Sequence, residues 1–347
     1  AGGPPLFERG VHCARRQNSR AAAQPEELKK ADSLDCPLFY IEFVFSEQQL
    51  VADLDEKKRS QAAQEYGILT SDDMEGLLVS QDIDAVFVCT GPASHGKIIN
   101  TCLKNALHVF SEINLVDTLY EENIELAEQQ EKVLFLSSTG MYRPEAAYIR
   151  EAASRHEIGA YCYHIGQYLP DWHPWEDYRD MFLAHPETNA CREILAVELP
   201  WLVAAFGKIV SQHSLHHRSS MLDIDYDDTF SILLEHESGI TGTLTVDVVS
   251  RKAVRNFECF GEGGHIVWDG SPTGFMSFDL EKKELMPIDL YGSGSAEQLP
   301  DYAAFVVEDA YANEIEEFFA VINEGKQARY SFEQDKEILD IVAEIGA

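Results

Sequence analysis

Near residue 160 the hydrophobic positions change period, and the chain divides there into two patterns. Before that point, short continuous apolar runs alternate with helical patterns. Ala85-Val86-Phe87-Val88-Cys89 is the clearest run, and such a run reads as a strand buried on both faces of a parallel sheet. It stops at Thr90-Gly91-Pro92, where Gly and Pro turn the backbone. Ser94 is the expected N-cap of a helix carrying Ile98, Ile99, Cys102 and Leu103 on its apolar face. A second run, His108-Val109-Phe110, ends at Ser111-Glu112-Ile113-Asn114. Residues 82–117 therefore predict a β-α-β unit with parallel strands and a right-handed crossover. Ligands of such sheets bind at the carboxyl ends of the strands, where Thr90 and Glu112 both fall.

The same rhythm continues on either side. Leu50-Val51-Ala52-Asp53 reads as a strand end, followed by a helix to about Tyr66-Gly67 and a short amphipathic helix from Met74 to Ser80. Residues 118–131 predict a polar-faced helix and Val133 to Ser138 the last strand of the sheet. Pro144 to His156 suits a helix with Glu145, Arg150 and Glu151 facing water. Beyond Gly159, alternating apolar residues and Gly-rich turns predict strands at residues 160–169, 229–235, 242–249, 256–261 and 265–268. That pattern indicates an open, largely antiparallel sheet. Residues 271–300, rich in Gly, Ser and Pro, predict surface hairpins and loops, and residues 311–325 and 332–345 predict helices. The expected fold is α/β: a Rossmann-like, doubly wound parallel sheet over residues 1–142, then an α+β domain over 143–347 with an open, mostly antiparallel sheet.

Composition changes this picture little and charge changes it more. The 347 residues are 45% hydrophobic and 25% charged, the balance of a globular chain with room for two cores. The formal charge of −33 argues against nucleic acid and anionic membranes as partners, because phosphate binding relies on Lys and Arg. Seven cysteines without a repeated spacing suggest reduced thiols in a cytoplasmic protein. No apolar run approaches the roughly 20 residues of a membrane span, and no export signal is evident. His213, His216 and His217, in a segment expected to be a loop, lack acid or Cys partners at ligand spacing, so no metal site is expected.

One segment stands out chemically. Gly166 to Arg179 gathers Trp172, Trp175, Tyr168, Tyr178, His173 and Arg179 with several acids. Flat aromatic faces beside hydrogen-bonding groups suit a sugar ring; the same residues also suit an aromatic cluster that packs a domain interface. His173, with an ordinary pKa near 6.5, is the candidate acid/base. Arg179 and Arg192 are candidates to orient a substrate.

The block 82–117 resembles the Gfo/Idh/MocA oxidoreductases, whose members carry a strand ending in a Thr-Pro or Thr-Asn turn, a His shortly after, and a strand ending in Glu-Lys-Pro. Thr90, Pro92, His95 and Glu112 fall on those positions, while Ile113 and Asn114 replace the Lys and Pro. The resemblance implies a nicotinamide cofactor, NAD with NADP possible, contacted by Asp53, Thr90, Gly91, Pro92, His95 and Glu112. Asp53 would bind the adenosine ribose, and an acid there favours NAD. The family's helical Asp, His, Asp signature aligns with Glu193, Val197 and Pro200, which keeps Glu193 as a second proton-transfer candidate. The implied substrate is a sugar or nucleotide sugar whose hydroxyl carbon exchanges a hydride, and the implied partner is another copy across the C-terminal sheet. Two alternatives accompany it: an NAD-retaining glycosidase, and a non-catalytic sugar-sensing or scaffold member. Residues 1–48 depart from the pattern: Gly2, Gly3 and Gly10 lie around Pro4 and Pro5 without a preceding strand-like run, so a phosphate-binding turn is not evident there.

Overall fold

The computed structural model describes residues 11–15, 50–80, 83–172, 176–292 and 307–347. The chain forms two compact units, Ala1–Ser137 with Phe318–Glu333, and Ser138–Glu317 with Gln334–Ala347. The expectations for the early glycines and for residues 16–48 lie outside the described residues.

The first unit is built on β1 (Val11–Arg15), β2 (Leu50–Ala52), α1 (Glu56–Tyr66), β3 (Leu69–Ser71), α2 (Met74–Ser80), β4 (Ile83–Val88), α3 (Pro92–Lys104), β5 (His108–Ser111), α4 (Tyr120–Gln129) and β6 (Leu134–Leu136). The sheet order is β3-β2-β1-β4-β5-β6. β2 with β3, β4 with β5 and β5 with β6 are parallel, whereas β1 runs antiparallel to both its neighbours. β6 is the edge strand, as its sequence position predicts.

The apolar run of β4 is buried because both its faces are covered. Phe87 stacks on Phe110 at 4.7 Å and Phe110 on Phe135 at 5.3 Å. Phe318, from the unit's second segment, meets Phe87, Phe110 and Phe135 edge-on at 5.2, 5.6 and 5.6 Å. Edge-to-face rings of this kind add about 0.5–1.5 kcal/mol per pair beyond their buried area. On another side, α3 approaches the chain before α4 so closely that a Cβ on Gly96 would lie 2.0 Å from the Thr118 carbonyl oxygen. Asn123 seals that contact by donating to the Gly96 carbonyl at 2.9 Å.

The second unit begins with α5 (Pro144–Ser154) and β7 (Ala160–Gly166), continues with α6 (Ala190–Phe206), β8 (Ile209–His217), β9 (Thr229–His236), β10 (Thr241–Asp247), β11 (Val254–Phe260), β12 (His265–Trp268), β13 (Phe275–Asp279) and β14 (Glu284–Pro287), and includes parts of α7 (Glu308–Glu324) and α8 (Phe332–Ile345). Its eight-stranded sheet runs β14-β13-β12-β11-β7-β10-β9-β8, with β7 and β10 the parallel pair and antiparallel neighbours elsewhere. Period-2 burial is plain in β9, where Phe230, Ile232 and Leu234 are buried and Ser231, Leu233 and Glu235 exposed. α6 covers the buried face. Phe206 stacks on Tyr161 at 4.7 Å, and Trp201 meets Tyr163 and Phe257 at 5.8 and 5.3 Å.

Two buried polar groups of this core, Glu198 and His236, are paired. Glu198 accepts from the Tyr163 hydroxyl at 2.8 Å and Trp201 Nε1 at 2.7 Å, and its other oxygen lies 2.9 Å from Arg255 Nε. His236 Nδ1 faces the Gly207 carbonyl at 2.7 Å, which only accepts, so Nδ1 carries the proton. Its Nε2 then accepts from the Tyr161 hydroxyl at 2.9 Å.

Three expectations need correction. Gly91, not Ser94, is the N-cap of α3, with Pro92 at its first position. Proline is pre-set for that place and lacks an N–H that would go unused, so Ser94 falls inside the first turn. The His213 to His217 stretch is the edge strand β8 rather than a loop, its polar composition being what an edge tolerates. Glu145 is buried, not facing water. It takes Arg143 Nη2 at 3.1 Å and the Tyr291 hydroxyl at 3.0 Å, and paired burial of this kind leaves no periodic trace in the sequence.

Candidate functional site

The first unit gathers the expected cofactor residues on one sheet edge. Val88 and Ser111 are register partners, so β4 and β5 end side by side, and the Glu112 amide donates to the Val88 carbonyl at 2.9 Å. The Thr90-Gly91-Pro92 turn and Glu112 are therefore neighbours at the carboxyl edge, as strand polarity requires. The Thr90 and Ser94 hydroxyls lie 2.6 Å apart, and Ser94 Oγ donates back to the Gly91 carbonyl at 2.8 Å. Glu112 is 9% exposed and Ile113 8%. His95 lies 1% exposed beneath the turn, with Nε2 2.6 Å from the Thr90 carbonyl and Nδ1 2.8 Å from Asn114 Oδ1.

Asp53 follows β2 on the same edge, because β2 and β4 both lie antiparallel to β1. Two strand spacings separate the ends of β2 and β4, about 10 Å. Asp53 is half-buried, and its Oδ1 accepts from the Asp55 amide at 2.7 Å. Asp55 caps α1 through the Lys57 amide at 2.8 Å, which leaves Asp53 without a capping duty in that helix. Arg59 lies close by, donating Nη1 to the Asp53 carbonyl at 2.7 Å.

In the second unit the expected residues are held by different elements. Asn189 caps α6 by accepting from the Arg192 amide at 2.8 Å. Glu193 and Val197 follow on one helical face, with Glu193 3% exposed. Pro200 sits inside α6 without ending it. Arg192 Nη1 donates to the Ala347 carbonyl at 2.7 Å. Arg179 grips Asp177 through Nε at 2.8 Å and through Nη2, and this guanidinium holds the Asp177 carboxyl at about 2. Trp172 is half-buried, donating its amide to the Leu169 carbonyl at 3.1 Å. His173 and Trp175 lie outside the described residues.

Sequence reasoning passed over several polar groups that the fold brings together. His164 Nε2 lies 2.8 Å from Asp247 Oδ2, and Asp247 Oδ1 accepts from the Ser250 amide at 2.7 Å. A Cβ on Gly166 would come within 2.5 Å of that carboxylate, so a larger residue there would displace Asp247. Strand alternation puts His164 on the face away from Tyr161 and Tyr163, hence away from α6 and Glu193. The Asp-Val-Val-Ser spacing after a strand was the available clue. Burial pushes the Cys191 thiol well up, with Asp247 and Asp228 adding to it, so Cys191 is no thiolate nucleophile. The Asp223 amide donates to the Tyr178 hydroxyl at 3.0 Å, tying the aromatic segment to the β8–β9 connection. Asn114 entered the sequence reading only as a missing proline. Among the described residues no group of three or more His, Cys, Asp or Glu side chains is arranged to hold a metal ion, and no helix is long and apolar enough to cross a membrane.

Comparison with known proteins bears on this edge. Residues 23–138 match the model of the Gfo/Idh/MocA oxidoreductase family, described as an NAD-binding Rossmann fold. No curated protein matches. Among solved structures, an oxidoreductase from Thermotoga maritima aligns with a TM-score of 0.67 at 18% identity, over 84% of this chain and 85% of its own. UDP-N-acetylglucosamine 3-dehydrogenase from Acidithiobacillus ferrooxidans aligns with a TM-score of 0.66 at 16% identity, over 84% and 86%. Levoglucosan dehydrogenase, solved with NADH and levoglucosan, gives 0.69 at 16% identity, over 85% and 87%. At these identities the likeness is one of fold. The match to the Gfo/Idh/MocA oxidoreductases, an NAD-binding Rossmann segment, thus covers residues 23–138, and beyond them the likeness is one of fold alone.

Proposed function

We propose that the protein is an NAD(P)-dependent dehydrogenase acting on a hydroxyl-bearing carbon of a sugar or nucleotide sugar. The observation that carries this reading is the adjacency of the Thr90 turn and Glu112 at the carboxyl edge of β4 and β5. Asp53, half-buried at the end of β2, fits the adenosine ribose of the same dinucleotide. Two of the fold relatives bear the names of sugar dehydrogenases, which supports the substrate class.

A nicotinamide dinucleotide held by Asp53, the Thr90-Gly91-Pro92 turn and Glu112 would supply the hydride acceptor for oxidation of an alcohol to a ketone. The hydroxyl proton must leave at the same time. Ile113 cannot take it, and Glu193 and His173 are the candidates for that task. Trp172 and Trp175 offer faces for the sugar ring. Arg179 and Arg192 would each share a guanidinium already engaged with Asp177 or Ala347 when orienting an anionic substituent. The exposed face of the second sheet, with Cys162, Leu233 and Phe260 outward, is the surface through which copies would associate. Light scattering on Leu233→Glu tests that association, and an unchanged mass would refute it.

A second reading is a family member that binds nucleotide without turnover, favoured by apolar Ile113 and Val197 at expected proton-transfer positions. An NADH fluorescence titration, followed by a screen of sugars for NAD reduction, separates the two. The dehydrogenase reading expects binding and turnover, with Glu193→Gln or His173→Ala lowering kcat about 10²-fold or more while NADH affinity holds. Full turnover in both variants would refute the proton assignment, and absence of nucleotide binding would refute the function.

A further inference from the structure

Asn114 and His95 form a brace between the two strand ends that carry the candidate cofactor contacts. The Thr90 carbonyl can only accept, so His95 Nε2 at 2.6 Å carries a proton. At 1% exposure a neutral imidazole is favoured over a charged one, and its Nδ1 is then an acceptor in need of a donor. The neighbour at 2.8 Å is the Asn114 amide. Its oxygen and nitrogen exchange places by a half-turn that scarcely alters its shape. As placed, Asn114 Nδ2 is buried without a hydrogen bond; turned, it donates to His95. One chain of hydrogen bonds then runs from the residue after Glu112-Ile113, through the imidazole, to the carbonyl that opens the Thr90-Gly91 turn.

We infer that Asn114 and His95 are positioning residues for the nicotinamide half of the dinucleotide, a role that rests on the nucleotide-binding reading above. With both ring nitrogens engaged inside the protein, His95 acts through Thr90 rather than by touching the cofactor. Asn114 stands where the family resemblance expects proline, and its side chain supplies by hydrogen bonding the rigidity that a fixed φ would give. Sheet order localises the effect. Asp53 serves the adenosine end from β2, and the ends of β4 and β5 lie about 10–14 Å further along the edge. The brace therefore bears on the nicotinamide end alone.

That separation gives the test. Calorimetric titration of the full chain with NADH and with ADP-ribose, which lacks nicotinamide, is made for wild type, Asn114→Leu and Asn114→Asp. Leu fills the volume of Asn without its hydrogen bonds. Asp keeps the brace, as the acceptor of a doubly protonated imidazole. Asn114→Leu is expected to weaken NADH about tenfold, the effect of one lost buried hydrogen bond, with ADP-ribose affinity unchanged and Asn114→Asp close to wild type. NADH and ADP-ribose weakening together, or neither weakening, overturns the brace. Should Asn114→Leu fail to fold, His95→Gln is read by the same two ligands. A wild-type chain that binds neither ligand refutes the nucleotide reading itself, which is a different failure from a wild type that binds both and a variant that behaves like it.

Discussion

The carboxyl edge of the first sheet and the α6 face of the second unit hold their candidate residues by different physics. On the sheet edge, position follows from topology. β4 and β5 are parallel and in register, so whatever follows Val88 and Ser111 must emerge side by side. In the second unit, Glu193 depends on a helix cap at Asn189 and on the packing of α6 over Tyr161, Tyr163 and Phe257. The first arrangement tolerates changes of side chain without losing the site. The second needs a buried polar network to stay in place, and that difference sets where each unit is most easily damaged.

The largest effect is expected at Glu198. Its carboxylate serves Tyr163, Trp201 and Arg255 at once. Removing one member of a buried ion pair leaves the other uncompensated and costs about 3–5 kcal/mol. Glu198→Ala should therefore lower amide-exchange protection in β7 and α6 while β4 and β5 keep theirs. If protection fell equally in all four elements, the units would open as one body and the contrast between them would not hold. Glu198→Gln keeps the shape and one acceptor and should fall between wild type and Ala.

How much of this was legible in the sequence follows the same contrast. The β4-α3-β5 block could be read because continuous apolar runs and a Gly-Pro stop are local signals. Strand polarity then gives the edge of the proposed site without further information. The strands of the second sheet were legible by alternation, except where an edge strand is polar, as in β8. What could not be read was long-range pairing: Glu145 with Tyr291, His164 with Asp247, and Asn114 with His95 join residues 146, 83 and 19 positions apart. No periodicity records such pairs, because each partner alone looks like an ordinary polar residue. Substituted signature positions were visible as losses, but the sequence could not show that Asn114 brings a new hydrogen bond in place of the proline.

A smaller effect is expected at the adenosine end. An acid at the end of β2 binds a ribose hydroxyl and repels a 2′-phosphate. Asp53→Asn should weaken NADH about tenfold, the loss of one charge-assisted hydrogen bond. It should also bring NADPH closer to parity, since Arg59 already sits within 2.7 Å of the Asp53 carbonyl. Paired fluorescence titrations with both cofactors measure the ratio. A ratio unmoved by the substitution would remove Asp53 from the site while leaving the Thr90 and Glu112 edge untouched.

The smallest effect belongs to the opposite edge of the same sheet, where His108 opens β5. Its Nδ1 accepts from the Val133 amide at 3.0 Å. Burial, with Lys132 nearby, brings its pKa down to about 4, against about 6.5 in the unfolded chain. The unfolded state therefore binds the proton first as pH falls. The contribution of this group is complete above about pH 6.5 and is lost progressively between 6.5 and 4. Because the ring is partly exposed, solvent screening reduces the change to about 1 kcal/mol between pH 7 and 5. Urea unfolding at the two pH values, for wild type and His108→Asn, isolates the term: wild type should lose about 1 kcal/mol more than the variant. Equal losses would mean that the amino edge does not titrate. Because the proposed site lies at the carboxyl edge, NADH affinity should not change between wild type and His108→Asn at either pH, and a change that did appear would show that the two edges of the sheet are coupled.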